Sequence, residues 1–589
     1  MTRIQPQPWL YNLTIGQALD RTVERFADRE AVVFPRLGLR WSYAQFGQQV
    51  DQAARGLLAM GIRPGEHVAI WATNLPEWVV LQFATARIGA VLVTINPAYR
   101  AHELKYVLKQ SDAAALVLTD RFKSSNYLEM LAEVCPEFRG ARLYLDRTAI
   151  DSGGDKGWIH SADLPKLRAV IAIKGDTPAG AISWQRMLET GNTVPLTALN
   201  EVSKTLQPTD AINLEYTSGT TGFPKAAMLS HRNLLLNVFY GGQCQGMTDR
   251  DRICIPVPFY HCFGCVLGTL MAAVHGATMV VPAESFESAA TLDAVEKERC
   301  TSLYGVPTMF IAQLNDPSLS GRDLRTLRTG IMAGSPCPIE VMRAVVEKLG
   351  CREITIGYGQ TEASPIITQT RFDDPIEKRV ETVGRPIAGV EVKIVDPATH
   401  AELPESVQGE LCARGHCVML RYYNDPIATA EAIDSDGWLH SGDLAVCLSD
   451  GYYKITGRIK DMVIRGGENI YPREIEEFLF THPAIEQASV VGLPDPKYGE
   501  ELCAWIKLKP GYNPEVGKDS VGAAKNDDSH KITADDIRCF CRGKLAHYKV
   551  PRYVKFVTEF PQTVTGKIQK FKIREQMCQA LGIREHETA

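Results

Sequence analysis

Residues 216–225 read Tyr216-Thr-Ser-Gly-Thr-Thr-Gly-Phe-Pro-Lys225. An apolar run, AINLEY, leads into the stretch as a strand, and a helix is expected from Ser230 behind it. Polyphosphate needs close backbone N–H groups, hydroxyl donors and a cation. Gly219 and Gly222 permit the approach, Ser218, Thr220 and Thr221 carry hydroxyls, and Lys225 carries the charge. There is no Gly-Lys-Ser/Thr ending, so this is not a Walker loop, which argues against a switch or motor ATPase. Since a plain surface loop has the same composition, the rest of the chain must decide.

Outward from the loop, helix and strand patterns alternate. In SYAQFGQQVDQAARGLLAMG, Ser42 is an N-cap candidate, and Tyr43, Phe46, Val50, Ala54 and Leu57 recur at helical spacing. Strand signals follow at 68–71, 91–95 and 115–119, separated by helices from Pro76 and from His102. The rhythm returns at 211–216, 279–282, 302–306 and 354–356. Strands separated by helices predict a parallel sheet covered on both faces. Past about residue 457 the pattern changes: strands at 488–492 and 502–508 are expected to flank a helix near Tyr471. A helix from Thr533, a strand at 553–557 and a terminal helix complete that region. The stretch GYNPEVGKDSVGAAKNDDSHK reads as a mobile surface loop.

The chain has 589 residues, too many for one core, and its balance of 45% hydrophobic to 23% charged residues is that of a soluble globular protein. Its net charge of −5, with no dense Lys/Arg block, makes nucleic acid an unexpected partner. No apolar run is long enough to span a membrane, and neither end carries an address signal, so a cytoplasmic location is expected. The 15 scattered cysteines fit reduced thiols.

The loop resembles the signature of the AMP-forming acyl-activating superfamily, which includes acyl-CoA synthetases, firefly-type luciferases and peptide-synthetase adenylation domains. Four further matches stand in the family's order: Tyr358-Gly-Gln-Thr-Glu362, Gly437-Trp-Leu-His-Ser-Gly-Asp443, Gly457-Arg-Ile-Lys-Asp461 and Thr565-Gly-Lys567. The resemblance, closest to medium-chain fatty acyl-CoA synthetases, implies an α/β fold. A large N-terminal domain of parallel α/β sheets (1–457) would precede a small mobile C-terminal α+β domain (458–589). It implies activation of a carboxylic acid by ATP to an acyl-adenylate, release of pyrophosphate, and transfer to coenzyme A, with Mg²⁺ present.

Residue by residue, the resemblance assigns Thr221 and Glu362 to Mg²⁺, which takes few protein oxygens and keeps its waters. Tyr358, with Gly334, Ser335 and Pro336, is similar to the adenine wall. Thr217, Gly357, Gly359, Gln360 and Thr361 complete the nucleotide site beside the phosphate loop. Asp443 resembles the ribose ligand, a carboxylate able to accept from both sugar hydroxyls, and Arg458 is placed at ribose or phosphate. Lys567 is the implied catalytic lysine, relieving repulsion as one anion attacks another. Lys460 falls at the hinge, and Gly466 and Gly467 fall where a pantetheine tunnel forms after rotation.

For the acyl site, Phe259, Tyr260 and His261 resemble an aromatic entrance. Gly359 stands where acetate-specific relatives carry tryptophan, so the pocket floor is expected to be open. The segments 234–240 and 304–307 are expected to add apolar wall. Family members usually follow the loop's Pro-Lys with glycine, whereas this chain has Ala226. The Cys262-Phe-Gly-Cys265 pair lacks the second ligand pair of a zinc site and reads as buried thiols. Aryl-CoA ligase, a ligase loading a carrier-protein thiol, and a non-catalytic nucleotide-binding relative stay open as alternatives. Self-association is left open as well.

Overall fold

The computed structural model describes residues 8–140, 159–175, 177–217, 224–335, 337–466, 468–514, 530–563 and 566–583, and every count or absence below refers to these. Ser42 caps the helix Tyr43–Ala59: its hydroxyl accepts from the Gln45 N–H, and the Gln45 side chain accepts from the Ser42 N–H. Tyr43, Phe46, Val50, Ala54 and Leu57 form its buried stripe. The helix Pro76–Ile88 starts on proline, stops at Gly89 in the left-handed region, and is buried all round.

Two large sheets organise the chain up to about residue 422. The nine-stranded one is parallel through its middle, running Glu353–Gly359, Thr329–Met332, Ser302–Gly305, Arg252–Cys254, Thr278–Val280 and Glu30–Phe34. The eight-stranded one places Ala211–Thr217 beside Val91–Thr94, then His67–Trp71, Ala113–Leu118 and Ala169–Ala172, all parallel. One departure from the expected order bears on function. The segment Lys225–Ser230 is itself a strand, antiparallel to Ala211–Thr217 with Thr217 opposite Lys225, and only then does Ser230 cap the helix His231–Cys244. The strands on either side of residues 218–223 therefore pair as a hairpin. The uniformly apolar run AAML is too short to show a period of two, which hid the strand.

A third sheet, wholly antiparallel, is made of Val390–Val395, Gly409–Gly415, Leu439–Cys447 and Tyr453–Arg458. Alternation there is interrupted by irregular register, and the sequence reading did not foresee it. After the turn Ile459–Asp461, most of the remaining strands build a smaller sheet around Ile485–Asp495 and Gly499–Leu508. Those two do not flank the helix Pro472–Phe480 but follow it as one long antiparallel hairpin. Val463, Ile475, Leu479, Val490, Ile506 and Ile537 form a core of this region alone. Thr533 caps its helix Ala534–Cys541, which buries Cys541 and exposes Cys539. Of the expected surface loop, residues 515–529 lie outside the described residues, while its ends pair as Tyr512–Pro514 and His530–Ile532. No helix is long and apolar enough to cross a membrane.

Candidate active site

A cavity of about 650 Å³ opens where the carboxyl ends of the nine-stranded sheet meet the edge of the eight-stranded one and the smaller C-terminal region. Crevices at the carboxyl ends of parallel strands are where α/β sheets bind ligands. The strand Glu353–Gly359 delivers Gly357, Tyr358 and Gly359 to its wall, and the short turn Thr361–Ala363 brings Thr361 and Glu362. Gln360, Thr217, Lys225, Gly334 and Arg458 also line it.

Glu362 is buried, and its Oε1 accepts a hydrogen bond from the Tyr422 hydroxyl at 2.7 Å. Lys225 Nζ lies 5.3 Å from the centre of the Tyr422 ring. Tyr422 reaches this place because its strand pairs with Lys225–Ser230, setting Tyr422 opposite Ala227. No local pattern in RYYNDP marks it; only the sheet edge brings it to Glu362.

Asp443 and Arg458 face each other across the antiparallel pair Leu439–Cys447 and Tyr453–Arg458. Arg458 Nε donates to Asp443 Oδ1 at 2.7 Å, and the Tyr358 hydroxyl donates to Oδ2 at 2.8 Å. The Asp443 charge raises the Arg458 pKa, while burial and that same charge push the Tyr358 hydroxyl well above its ordinary value. Asp443 itself sits behind these two at the cavity's edge rather than on its wall.

Lys567 enters from the C-terminal region. Its loop is tied by the Lys567 N–H to Thr563 Oγ1 at 3.1 Å and by the Thr563 N–H to the Lys567 carbonyl at 2.8 Å. Gly566, at φ +79°, packs on Thr308, whose hydroxyl would lie 2.6 Å from a Cβ at that position. The lysine keeps accessible surface, but that surface faces the cavity, where protein surrounds it. Burial first, then the Arg458 charge, lower its pKa. His261, also on the wall, is brought down to about 4 by burial and by Lys567, so its imidazole is neutral. Its Nδ1 accepts from the Phe263 N–H at 3.1 Å, which leaves the proton on Nε2.

Several expectations need correction. Phe259 is a core residue, buried against Trp78 at 5.5 Å between ring centres, and is not part of the cavity wall. The helix His231–Cys244 gives no residue to the wall, and of residues 304–307 only Val306 does. Ser335 is not on the wall either. Gly359 does line the cavity, and a Cβ there would lie 1.9 Å from the Pro365 carbonyl oxygen. Gly466, expected at a tunnel only after rotation, here turns a tight hairpin at φ +60° off the cavity wall, its N–H donating to the Tyr498 carbonyl. Ser218, Gly219, Thr220, Thr221, Gly222, Pro336 and Gly467 lie outside the described residues. Tyr260 and Lys460 are on the wall. Ala226 is buried opposite Tyr216 in the hairpin, an extended position that a methyl group suits.

Phe263, Leu267, Ile331 and Ile366 give the wall an apolar part, and none of its cations, Lys225, Arg458, Lys460 and Lys567, comes from the elements that carry them. Cys262 and Cys265 are free and buried. Glu410, Cys412 and His440 bring three potential ligand atoms within 4.8 Å of one another. They bond among themselves, and burial with the Glu410 charge pushes the Cys412 thiol up to about 12, which disfavours a thiolate.

Residues 19–423 match the model of the AMP-binding enzymes, and residues 474–567 match that of the AMP-binding enzyme C-terminal domain. YngI of Bacillus subtilis (strain 168), itself a proposed acyl-CoA synthetase, is 49% identical over 98% of this chain and 99% of its own. The mitochondrial medium-chain acyl-CoA ligase ACSF2 of Danio rerio is 44% identical over 98% of this chain and 90% of its own. Among solved structures, the anthranilate CoA ligase AuaEII in complex with anthranoyl-AMP superposes with a TM-score of 0.80 at 26% identity, covering 98% of this chain and 99% of that one.

Proposed function

The chain belongs to the family of AMP-binding enzymes, and we propose that it joins a medium-chain fatty acid to coenzyme A through an acyl-adenylate. The observation that carries this reading is the convergence, on one cavity, of Lys567, Lys225, Arg458 and Glu362 at the polar wall with the cation-free apolar wall around Leu267 and Ile366. A carboxylate attacking the α-phosphate of ATP is an encounter of two anions, and fixed cations around the meeting point stabilise the charge as it builds. In this reading Lys567 is the cation that touches both, Lys225 serves the leaving phosphates, and Asp443 with Arg458 holds the ribose. Tyr358 supplies a flat wall for adenine. Neutral His261 adds no charge beside the acyl group.

The donor set fits Mg²⁺: Glu362 is buried with one oxygen bonded to Tyr422, and its residue lines the cavity. Glu362, with Thr221, would hold the ion, whose chemistry is to neutralise phosphate charge. Transfer to coenzyme A then needs the Lys567 loop to leave. Lys460, in the short turn between the third sheet and the C-terminal strands, is the residue about which that region would rotate. The name of the relatives and the apolar wall support a fatty acid, each buried methylene contributing about 0.8 kcal/mol. The 15 free cysteines support a reducing compartment such as the cytoplasm.

Purified protein with Mg-ATP, coenzyme A and acids from acetate to palmitate plus benzoate tests the proposal. AMP with matching acyl-CoA, maximal at medium chain length, is the expected result. Preference for benzoate would favour an aryl acid; acyl-adenylate without acyl-CoA would point to a carrier-protein thiol; ADP would refute the chemistry.

A further inference from the structure

The strand that carries Asp443 does not run straight. In its pairing with Gly409–Gly415, Cys412 faces His440 and Glu410 faces Leu444. Leu411 is therefore left opposite three residues, Ser441, Gly442 and Asp443, a bulge that strips backbone groups of ladder partners. Gly442 stands at φ +71°, and a Cβ at that position would meet nothing within 4 Å, so backbone shape and not space calls for glycine there.

Glu410 answers that deficit. Its side chain is buried; Oε1 accepts from the Gly442 N–H at 2.9 Å, and Oε2 lies 2.8 Å from Nδ1 of His440, which must carry a proton to face a carboxylate. One carboxylate thus grips the bulge at two points, and Ser441 Oγ accepts from the Asp443 N–H at 3.1 Å. Beyond the bulge, the Asp443 carboxylate emerges towards Arg458 and Tyr358. Glu410, His440, Ser441 and Gly442 all border the cavity.

We propose that Glu410 is a positioning residue which, through Gly442 and His440, sets the Asp443 carboxylate for the ribose hydroxyls and so determines how strongly the site distinguishes nucleotides by their sugar. The inference rests on the reading of Asp443 as the ribose ligand. A Glu410 that merely filled the bulge would affect stability and leave sugar discrimination intact.

The test compares binding of ATP and 2′,3′-dideoxy-ATP by titration calorimetry, for the wild type, Asp443→Ala, Glu410→Gln and Glu410→Ala, with KM for the acid as a second readout. The wild type should prefer ATP, and Asp443→Ala should abolish the preference. Glu410→Ala should shrink it at least about tenfold, as expected for losing a hydrogen bond to a charged group, with KM for the acid unchanged within about twofold. Glu410→Gln, which keeps an acceptor for Gly442, should retain most of it. If Glu410→Ala keeps the full preference while Asp443→Ala loses it, the positioning role is overturned and the ribose reading stands. If Asp443→Ala keeps the preference, the ribose reading falls and takes the proposal with it. Should Glu410→Ala not fold, Glu410→Asp, too short to reach both partners, carries the same comparison.

Discussion

The Tyr422 hydroxyl donates to Glu362 Oε1 at 2.7 Å, joining the edge of one large sheet to the turn that closes the other. A carboxylate held at one oxygen presents the other in a fixed direction. Groups that orient a metal ligand are worth about 10–100-fold in metal affinity. Tyr422→Phe should therefore raise the Mg²⁺ concentration needed for half-maximal pyrophosphate release by about that factor. An unchanged Mg²⁺ titration would show that Glu362 needs no such support.

Removing the Lys567 ammonium should slow adenylate formation at least ~10²-fold, the scale for one stabilising donor. Lys567→Ala should still transfer the acyl group of pre-made acyl-adenylate to coenzyme A. Near-normal adenylation in this variant would remove Lys567 from the chemistry.

The Lys567 pKa is lowered by burial and by Arg458, and the charged form is the useful one. Adenylation by the wild type should thus decline as pH rises through a midpoint below the ordinary lysine value of about 10.4. A pH profile that stays flat to that value would contradict the crowding seen around the side chain.

Lys460 is the second residue of the turn Ile459–Asp461, and proline there would fix its φ. Lys460→Pro should preserve adenylation and cripple thioester formation, because it locks the observed conformation. Measured separately, equal loss of both half-reactions would place the hinge elsewhere.

Glu215 is fully buried, and burial, with the charge of Glu362 adding to it, raises its pKa to about 7. An unfolded glutamate ionises near ~4.3. Between those values the folded chain holds a proton that the unfolded chain has released, so stability falls as pH rises through that window and levels off above it. Glu215→Gln should flatten the fall and leave the variant more stable than the wild type at pH 8 by about 3–4 kcal/mol. Urea midpoints measured from pH 4.5 to 8 check this; parallel curves for the two proteins would rule it out.

Local chemistry was readable where the signal is local. The N-cap at Ser42, the helix beginning near Thr533 and the helix from Pro76 rest on residues a few positions apart, and each stands where the pattern put it. The motifs holding Glu362, Asp443, Arg458 and Lys567 were legible for the same reason, each being a short run of distinctive residues. Phe259 was misplaced because an aromatic beside His261 has the same sequence appearance whether it faces a ligand or, as here, Trp78.

By itself, then, the sequence determined the class of the fold, the family and the short motifs proposed to carry its chemistry, since these depend on type and short spacing. Only the tertiary structure decided that Tyr422 supports Glu362, that Glu410 grips the bulge before Asp443, and that Gly359 has no room for a side chain. Each of these depends on strand register and close approach between segments far apart in the chain. Such contacts arise from packing, which leaves no periodicity in the residues that make them.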